Sequence, residues 1–397
     1  MSRIVITGAG VVSPIGSGLT EFRQSLESAL IGVDRISCFD TGFFPSTFGA
    51  EARAKGKVIA TTPRQDRKEI LLRQALSELF QTVAVNRYTP QDRLLILGAG
   101  IDYFDLLSYV EKKPPSHWSD YSLRANKVVD RLACEFEING GHFANVSACV
   151  ASTQAMGLAL RILRQSPHKA IITGGFDSML SHLHYMGFYK LGALSDWDGP
   201  PQGALRPFDK RRCGLVIGEG AGTYLFENIE HAKKTDILAE VAGYSATMDA
   251  YMVTDPEPSG RALAQAGLLA IQDAGITPER IDMIDLHGTG TVKNALAETK
   301  ALESIFPRRF HEIPVFCLKG QIGHLIGACG AMEILGVIDA LQNQRVLPSV
   351  NCEEPDPEIP LNIIRDEPLK TRIEYVLKLN AAFGGQNTAM VLKKYEQ

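Results

Sequence analysis

No C-x-x-C pair occurs in the chain, and its seven cysteines are scattered at Cys38, Cys134, Cys149, Cys213, Cys317, Cys329 and Cys352. An odd, unpaired set excludes a structural zinc site and a disulfide-stapled scaffold, and is the usage of a reduced cytosolic protein. Long apolar runs are missing too. The stretch Met1-Ser-Arg-Ile-Val-Ile-Thr-Gly8 has one basic residue and too short a hydrophobic segment for a signal sequence or a membrane span. A cytoplasmic location is therefore expected. Neither sign of charge is in excess: 41 Lys+Arg against 45 Asp+Glu leave a net charge of -4, which gives nucleic acid or an anionic membrane no bulk attraction. An acidic partner would have to meet a local basic patch. Low-complexity tracts and long flexible linkers are absent as well.

What the chain has is the composition of an ordinary soluble globular protein, 45% hydrophobic and 22% charged over 397 residues. That length fills one large layered core or two fused domains of about 200 residues each. Short β-branched or Leu-rich runs (Arg3 to Thr7, Arg93 to Leu97, Lys169 to Thr173, Ile281 to Leu286) each lead into a small-residue turn. Between them, Glu69 to Val83 and Gly260 to Ala274 carry apolar residues at helical spacing. Buried strands alternating with helices indicate an α/β protein. A faint internal echo is present. Arg93 to Gly100 resembles Ile281 to Gly290, and the segment around Cys149 is matched by Cys317 to Glu333. A duplicated αβ half, joined near Glu230 to Asp236, would bring two helix mouths to one site; chance similarity among small-residue turns explains the pattern about as well.

Cys149 stands where Ala144-Asn-Val-Ser-Ala gives way to a helical stretch. A helix N-terminus carries partial positive charge, so a thiol there can favour the thiolate and find donors for an oxyanion. His287, in Leu286-His-Gly-Thr-Gly-Thr291, and His324, in Lys319-Gly-Gln-Ile-Gly-His324, border glycine turns past apolar runs. α/β folds put their chemistry at such places. A single histidine there is more often structural; two with a helix-mouth cysteine make a site. Gly8-Ala-Gly10-Val-Val-Ser13 lacks the third glycine of a dinucleotide fingerprint, which argues against nucleotide binding. Gly218-Glu-Gly-Ala-Gly222 reads as close backbone packing, whereas the Phe383-Gly-Gly385 turn could direct backbone N–H groups at a carbonyl oxygen.

These residues carry a family resemblance over nearly the whole chain. The ordered set Val5 to Gly16, Ser147-Ala-Cys-Val-Ala-Ser152, Arg206-Pro-Phe-Asp-Lys-Arg-Arg-Cys-Gly214, Gly218 to Gly222, His287 to Thr291, Lys319 with Gly323-His324, and Phe383-Gly-Gly-Gln-Asn387 resembles a type II elongating β-ketoacyl-[acyl-carrier-protein] synthase. The resemblance implies a thiolase-like α/β fold with two duplicated αβ halves, 1–234 and 235–397, in a five-layer α-β-α-β-α core. It implies that Cys149 accepts an acyl chain, that backbone N–H groups of Cys149 and Phe383 form the oxyanion hole, and that His287 and His324 serve decarboxylation of malonyl-carrier. Lys319 would order the histidines by pairing with Glu298. Thr289 and Thr291 would hold the phosphopantetheine arm, Phe383 would gate the site, and Ile101 would line the acyl pocket. The expected partner is acyl carrier protein, docking on Arg64, Arg67 and Lys68; a solvated charged face is the competing reading of those three. A homodimer is implied, with a heterodimer beside a second ketosynthase-like subunit as the other possibility. No metal or organic cofactor is expected beyond the pantetheine on the carrier.

The chain also departs from the family pattern. Val292-Lys-Asn-Ala295 replaces the usual proline and aspartate after the His-Gly-Thr motif. Cys213, Gly320 and Gln386 replace an aspartate, a serine and a threonine, and Asp102-Tyr-Phe104 follows Ile101 where small residues are common. These changes leave the catalytic groups in place and point to an altered acyl pocket or carrier preference, in fatty acid, polyene or polyketide assembly. The alternatives are a non-catalytic chain-length-determining subunit, which would lack the nucleophile, and a coenzyme A thiolase, which would need a second cysteine near Phe383.

Overall fold

Two copies of one five-stranded pattern build the main sheet of the computed structural model, which describes residues 2–61, 66–82, 85–100, 124–165, 168 and 170–396. The first copy holds β1 (Ile4–Ser13), β2 (Leu94–Ala99), β3 (His142–Val146), β4 (Ala170–Ser178) and β5 (Glu219–Asn228), in the order β3-β2-β4-β5-β1. The second holds β6 (Ala239–Met248), β7 (Met283–Asp285), β8 (Pro314–Phe316), β9 (Tyr375–Ala382) and β10 (Gln386–Lys393), in the order β8-β7-β9-β10-β6. In each copy the first, fifth and fourth strands run antiparallel. The fourth, second and third run parallel. The copies meet where Ile4–Ile6 of β1 pairs antiparallel with Val241–Ala239 of β6. The echo in the sequence has this physical basis: Arg93 to Gly100 and Ile281 to Gly290 contain β2 and β7, the second strand of each copy. The expected boundary at 234/235 lies in the connection between β5 and β6.

Helices layer this sheet on both faces. Helix α1 (Arg67–Thr82) buries Leu71, Leu72, Ala75, Leu76 and Leu79 on the first copy, in a cluster with residues of β2, β4 and β5. Each such leucine contributes on the order of 1.5–3 kcal/mol. Helices α3 (Arg261–Asp273) and α4 (Val292–Ile305) cover the outer face of the second copy. Between the two copies lie α2 (Ala151–Gln165) and α5 (Cys329–Asn343), sharing one cluster with β1, β5 and β6. Helix α5 is buried on every side from Cys329 to Leu341, as a central element must be. The two helices touch closely: a Cβ on Gly330 of α5 would sit 2.0 Å from Thr153 Oγ1 of α2. This is the expected five-layer α-β-α-β-α core.

One glycine run differs from the sequence reading and a second agrees with it. The run after Thr7 is no turn, because β1 continues buried to Ser13. A Cβ on Gly10 would lie 2.0 Å from the Ala75 carbonyl oxygen, so the glycine admits α1 onto the strand. A continuous strand offers no loop to wrap a phosphate, in keeping with the rejection of a dinucleotide site. Gly218 to Gly222 likewise lies in and beside β5, where a Cβ on Gly220 would be 2.5 Å from the Val12 oxygen; close packing is its role. All seven cysteines are free. Among the described residues no helix is long and apolar enough to cross a membrane.

Candidate active site

The chain leaves β3 through Ser147 and enters a single 3-10 turn, Ala148–Val150, before α2 begins. Ala148 is left-handed, with φ 50°, a conformation costing a residue with a Cβ about 1–2 kcal/mol. Asn145 clamps this elbow: its Nδ2 donates to Ser147 Oγ at 2.8 Å and lies 3.2 Å from the Ala151 oxygen. The elbow sets Cys149 at the helix mouth, 6% exposed, where the Phe383 backbone N–H donates to its thiol. Here the sequence reading needs correction. Burial pushes the Cys149 thiol up to about 12, outweighing the pull of Lys319 and of the Phe383 N–H. The helix mouth places the sulfur without ionising it at rest.

His287 follows β7 on a loop held by α4. Glu298 accepts the backbone N–H of His287 at 2.6 Å and of Gly288 at 3.0 Å, and Asn294 Nδ2 at 2.6 Å. His287 Nδ1 faces two groups that can only donate, Lys319 Nζ at 3.0 Å and Asn380 Nδ2 at 3.1 Å. It must therefore accept, which leaves the proton of the neutral ring on Nε2. His324 reaches the same state differently, because its Nδ1 accepts the Ile326 backbone N–H at 3.1 Å. Burial, reinforced by Lys319, lowers both histidines, His324 to about 3. The rings stand 5.2 Å apart at 89°, and one donor atom from each of Cys149, His287 and His324 lies within 4.8 Å of the others. A buried thiol thus faces two neutral imidazoles, each with a protonated Nε2.

Lys319 pairs with Glu333, not with Glu298 as expected. Glu333 sits between two ammonium groups, Lys319 and Lys378, and Lys378 reaches Asp285 at 2.9 Å. Asn380 joins the set, donating to Glu333 at 2.7 Å and accepting from Thr153 Oγ1 at 2.8 Å. Burial alone would neutralise Lys319, but Glu333 raises its pKa and keeps it an ammonium. The alternating charges sum to zero, as a fully buried network requires. Sequence reasoning missed Glu333, Lys378, Asn380 and Asp285. The available signal was a charge inside an apolar run: Glu333 in Met332-Glu-Ile-Leu335, Lys378 in Val376-Leu-Lys-Leu379.

A cavity of about 470 Å³ opens above these groups, lined by Cys149, His287, His324, Thr289, Thr291 and Phe383 among others. The two threonine hydroxyls are 2.8 Å apart. Phe383 heads the three-residue connection between β9 and β10, where Gly384 and Gly385 take φ 85° and 74°. Among the departures, Cys213 joins the cavity wall with Ser195 Oγ at 3.3 Å, and Gln386 accepts from Gln154 Nε2 at 3.0 Å. Gly320 is tight, since a Cβ there would be 2.7 Å from Val350 Cγ2. Ile101, Asp102 to Phe104 and Arg64 lie outside the described residues. Arg67 and Lys68 form no exposed carrier-docking patch. Arg67 pairs with Glu219 of β5 and donates to the Ile59 oxygen at 2.6 Å. Lys68 is buried against Asp177 of β4 at 3.1 Å. Both lie at the start of α1 and turn toward the sheet, where buried carboxylates require a cation.

The family description "Beta-ketoacyl synthase, N-terminal domain" matches residues 1–232, and "Beta-ketoacyl synthase, C-terminal domain" matches 238–353. The chain belongs to the β-ketoacyl synthase family. It is an acyltransferase. Among its relatives, the 3-oxoacyl-[acyl-carrier-protein] synthase 2 of Synechocystis sp. is 32% identical, covering 99% of this chain and 98% of that protein. The synthase of the same name from Coxiella burnetii is 30% identical with the same coverage. Of the solved structures, a ketosynthase in complex with its type II PKS acyl-carrier protein and bound to the hexaketide covers both chains fully, with a TM-score of 0.87 at 25% identity. The ishigamide ketosynthase/chain length factor gives 0.87 at 26%, again over both whole chains.

Proposed function

We propose that this β-ketoacyl synthase condenses an acyl group, received from an acyl carrier protein, with a malonyl unit on a second carrier, and that Cys149, His287 and His324 carry the reaction. The observation behind this reading is the buried thiol on a strained elbow opposite two neutral Nε2–H donors. In the first half, Cys149 sulfur attacks the acyl thioester, the bond to the carrier's sulfur breaks, and the proton leaving Cys149 ends on the departing pantetheine thiol. The oxygen that becomes negative on the way is taken by backbone N–H groups of Cys149 and Phe383. In the second half, malonyl thioester loses carbon dioxide. The two Nε2–H groups hold the enolate oxygen that develops, a task an imidazolium would complicate by surrendering its proton to the carbanion. The enolate carbon bonds to the acyl carbonyl carbon, the Cys149 C–S bond breaks, and the sulfur regains one proton. Lys319 and Asn380 act through His287, fixing its tautomer from behind. Thr289 and Thr291 hold the pantetheine arm, Glu298 supports the His287 loop, and Phe383 gates the cavity.

Relatives called 3-oxoacyl-[acyl-carrier-protein] synthase 2 and a neighbour from a type II PKS support fatty acid or polyketide assembly as the setting, with polyene assembly as a variant of the same chemistry. Because one neighbour is a ketosynthase/chain length factor, pairing with a second ketosynthase-like subunit is the other arrangement beside a homodimer. Cys149 makes this chain the catalytic member in either. The test is reconstitution: purified protein, labelled acyl-carriers of several chain lengths, and malonyl-carrier. Label retained on Cys149 after denaturation, followed by a β-ketoacyl product with one carbon dioxide released, is the expected result. Absence of label with every carrier, with and without a partner subunit, would overturn the reading.

A further inference from the structure

The segment from His287 to Lys293 runs from the buried reacting groups to solvent. Gly288 and Gly290 turn their backs to the core: with φ of 48° and 77°, a Cβ would strike Cys317 Sγ at 2.3 Å and Leu205 Cδ1 at 2.7 Å. His287, Thr289 and Thr291 line the cavity, and so do Val292, Lys293 and Asn294 in the first turn of α4. From His287 to Lys293 the exposure rises. His287 is 2% exposed and Thr289 7%, Thr291 is half-buried, and the Lys293 side chain is 67% exposed. Such a gradient describes a track from the floor of a cavity to its mouth. At the mouth Lys293 Nζ meets Asp255 Oδ2 at 2.5 Å, and Asp255 also lines the cavity. The two histidines being neutral, Lys293 is the one cation among the described lining residues, against the acids Asp196, Asp249 and Asp255. Asp249 is already committed, accepting from Asn387 Nδ2 at 2.6 Å and from the Glu257 N–H at 3.0 Å.

A carrier-borne thioester is a long neutral arm with a reactive carbonyl at one end and a phosphodiester at the other. Resting on the acyl-carrier reading above, we propose that Lys293 is the phosphate anchor of this track, exchanging its bond to Asp255 for the phosphodiester of the incoming pantetheine arm. Asp255 is then a competitor that keeps the lysine extended and the mouth neutral while the site is empty.

The experiment compares two soluble substrates with the same acyl group, acyl-phosphopantetheine and acyl-pantetheine, by the ratio of their kcat/KM values for loading Cys149. A ratio cancels general damage to folding or to the nucleophile. Lys293→Met should lower it by about three- to tenfold, and Lys293→Arg should largely restore it. Asp255→Asn should raise it, because the competing carboxylate is gone. Raising the salt should erode the wild-type preference. A pair that merely braces the mouth would respond alike to loss of either partner, so a shift of the same sign in Lys293→Met and Asp255→Asn overturns the anchor, as does an unchanged ratio in Lys293→Met. If the wild-type protein takes the acyl group from neither substrate, nor from acyl-carrier protein, the acyl-carrier reading itself falls and the anchor falls with it.

Discussion

The two central helices begin alike and do different work. Both α2 and α5 run for 15 residues, both follow a one-turn 3-10 segment, and in both that segment opens on a left-handed residue, Ala148 at φ 50° and Ile326 at φ 47°. The second place of the turn is Cys149 in one and Gly327 in the other. Cys149 faces the cavity. Gly327 faces backbone: a Cβ there would lie 2.1 Å from the Gly100 nitrogen, and its N–H donates to Asp177 at 2.9 Å. The elbow is thus a backbone device that the fold uses twice. Open space opposite one of the two, rather than the helix terminus they share, decides where a nucleophile can stand.

The comparison can be broken or sharpened by substitution. The largest effect should come from Cys149→Ala, which removes all acyl label surviving denaturation while leaving the thermal unfolding midpoint near the wild-type value; label elsewhere on the mutant would dissociate the elbow from the chemistry. Next come His287→Ala and His324→Ala, which should still load Cys149 but lose condensation by about a hundred- to ten-thousand-fold, measured as product formed from preloaded enzyme in a single turnover. The pH dependence has a definite sign. A lowered pKa moves protonation to more acid solution, to about 3 for His324, so condensation by preloaded enzyme should show no histidine acid limb between about pH 5 and pH 8. Lys319→Met removes the ammonium behind His287 and should raise that ring's pKa, moving its acid limb to less acid solution, while the burial that is the larger cause keeps it below the ordinary histidine value. Gly327→Ala should cost about 1–3 kcal/mol by overpacking, seen as a lower unfolding midpoint; tolerance there would end the claim that its elbow is closed. The smallest effect is Ala148→Gly, which relieves the left-handed strain and should change stability by no more than about 1 kcal/mol, read from denaturant unfolding.

Local signals in the chain carried much of this. Periodicity located β1, β2, β4, β7, α1 and α3 to within a few residues at their starts, and the small-residue run at Cys149 marked the elbow. Other features depended on distant partners. The glycine run at Gly8 and Gly10 looks like a turn until α1 packs against Gly10. The charges at Arg67 and Lys68 look solvated until Glu219 and Asp177 arrive from strands far along the chain. The family resemblance implied Glu298 as the partner of Lys319, yet Glu333 is the carboxylate α5 delivers. A helical or strand period tells which residues share a face; the position of the facing element decides what that face meets.

The resting thiol of Cys149, kept neutral by its burial, also sets how the protein meets its environment. Peroxide and small alkylating agents react with thiolates, and a buried thiol pushed up to about 12 presents almost none at neutral pH. An electrophile that is to inactivate this protein selectively must supply its own binding energy along the cavity before its warhead meets a competent sulfur. Potency in such an inhibitor should therefore follow the fit of its tail more than the intrinsic reactivity of its head.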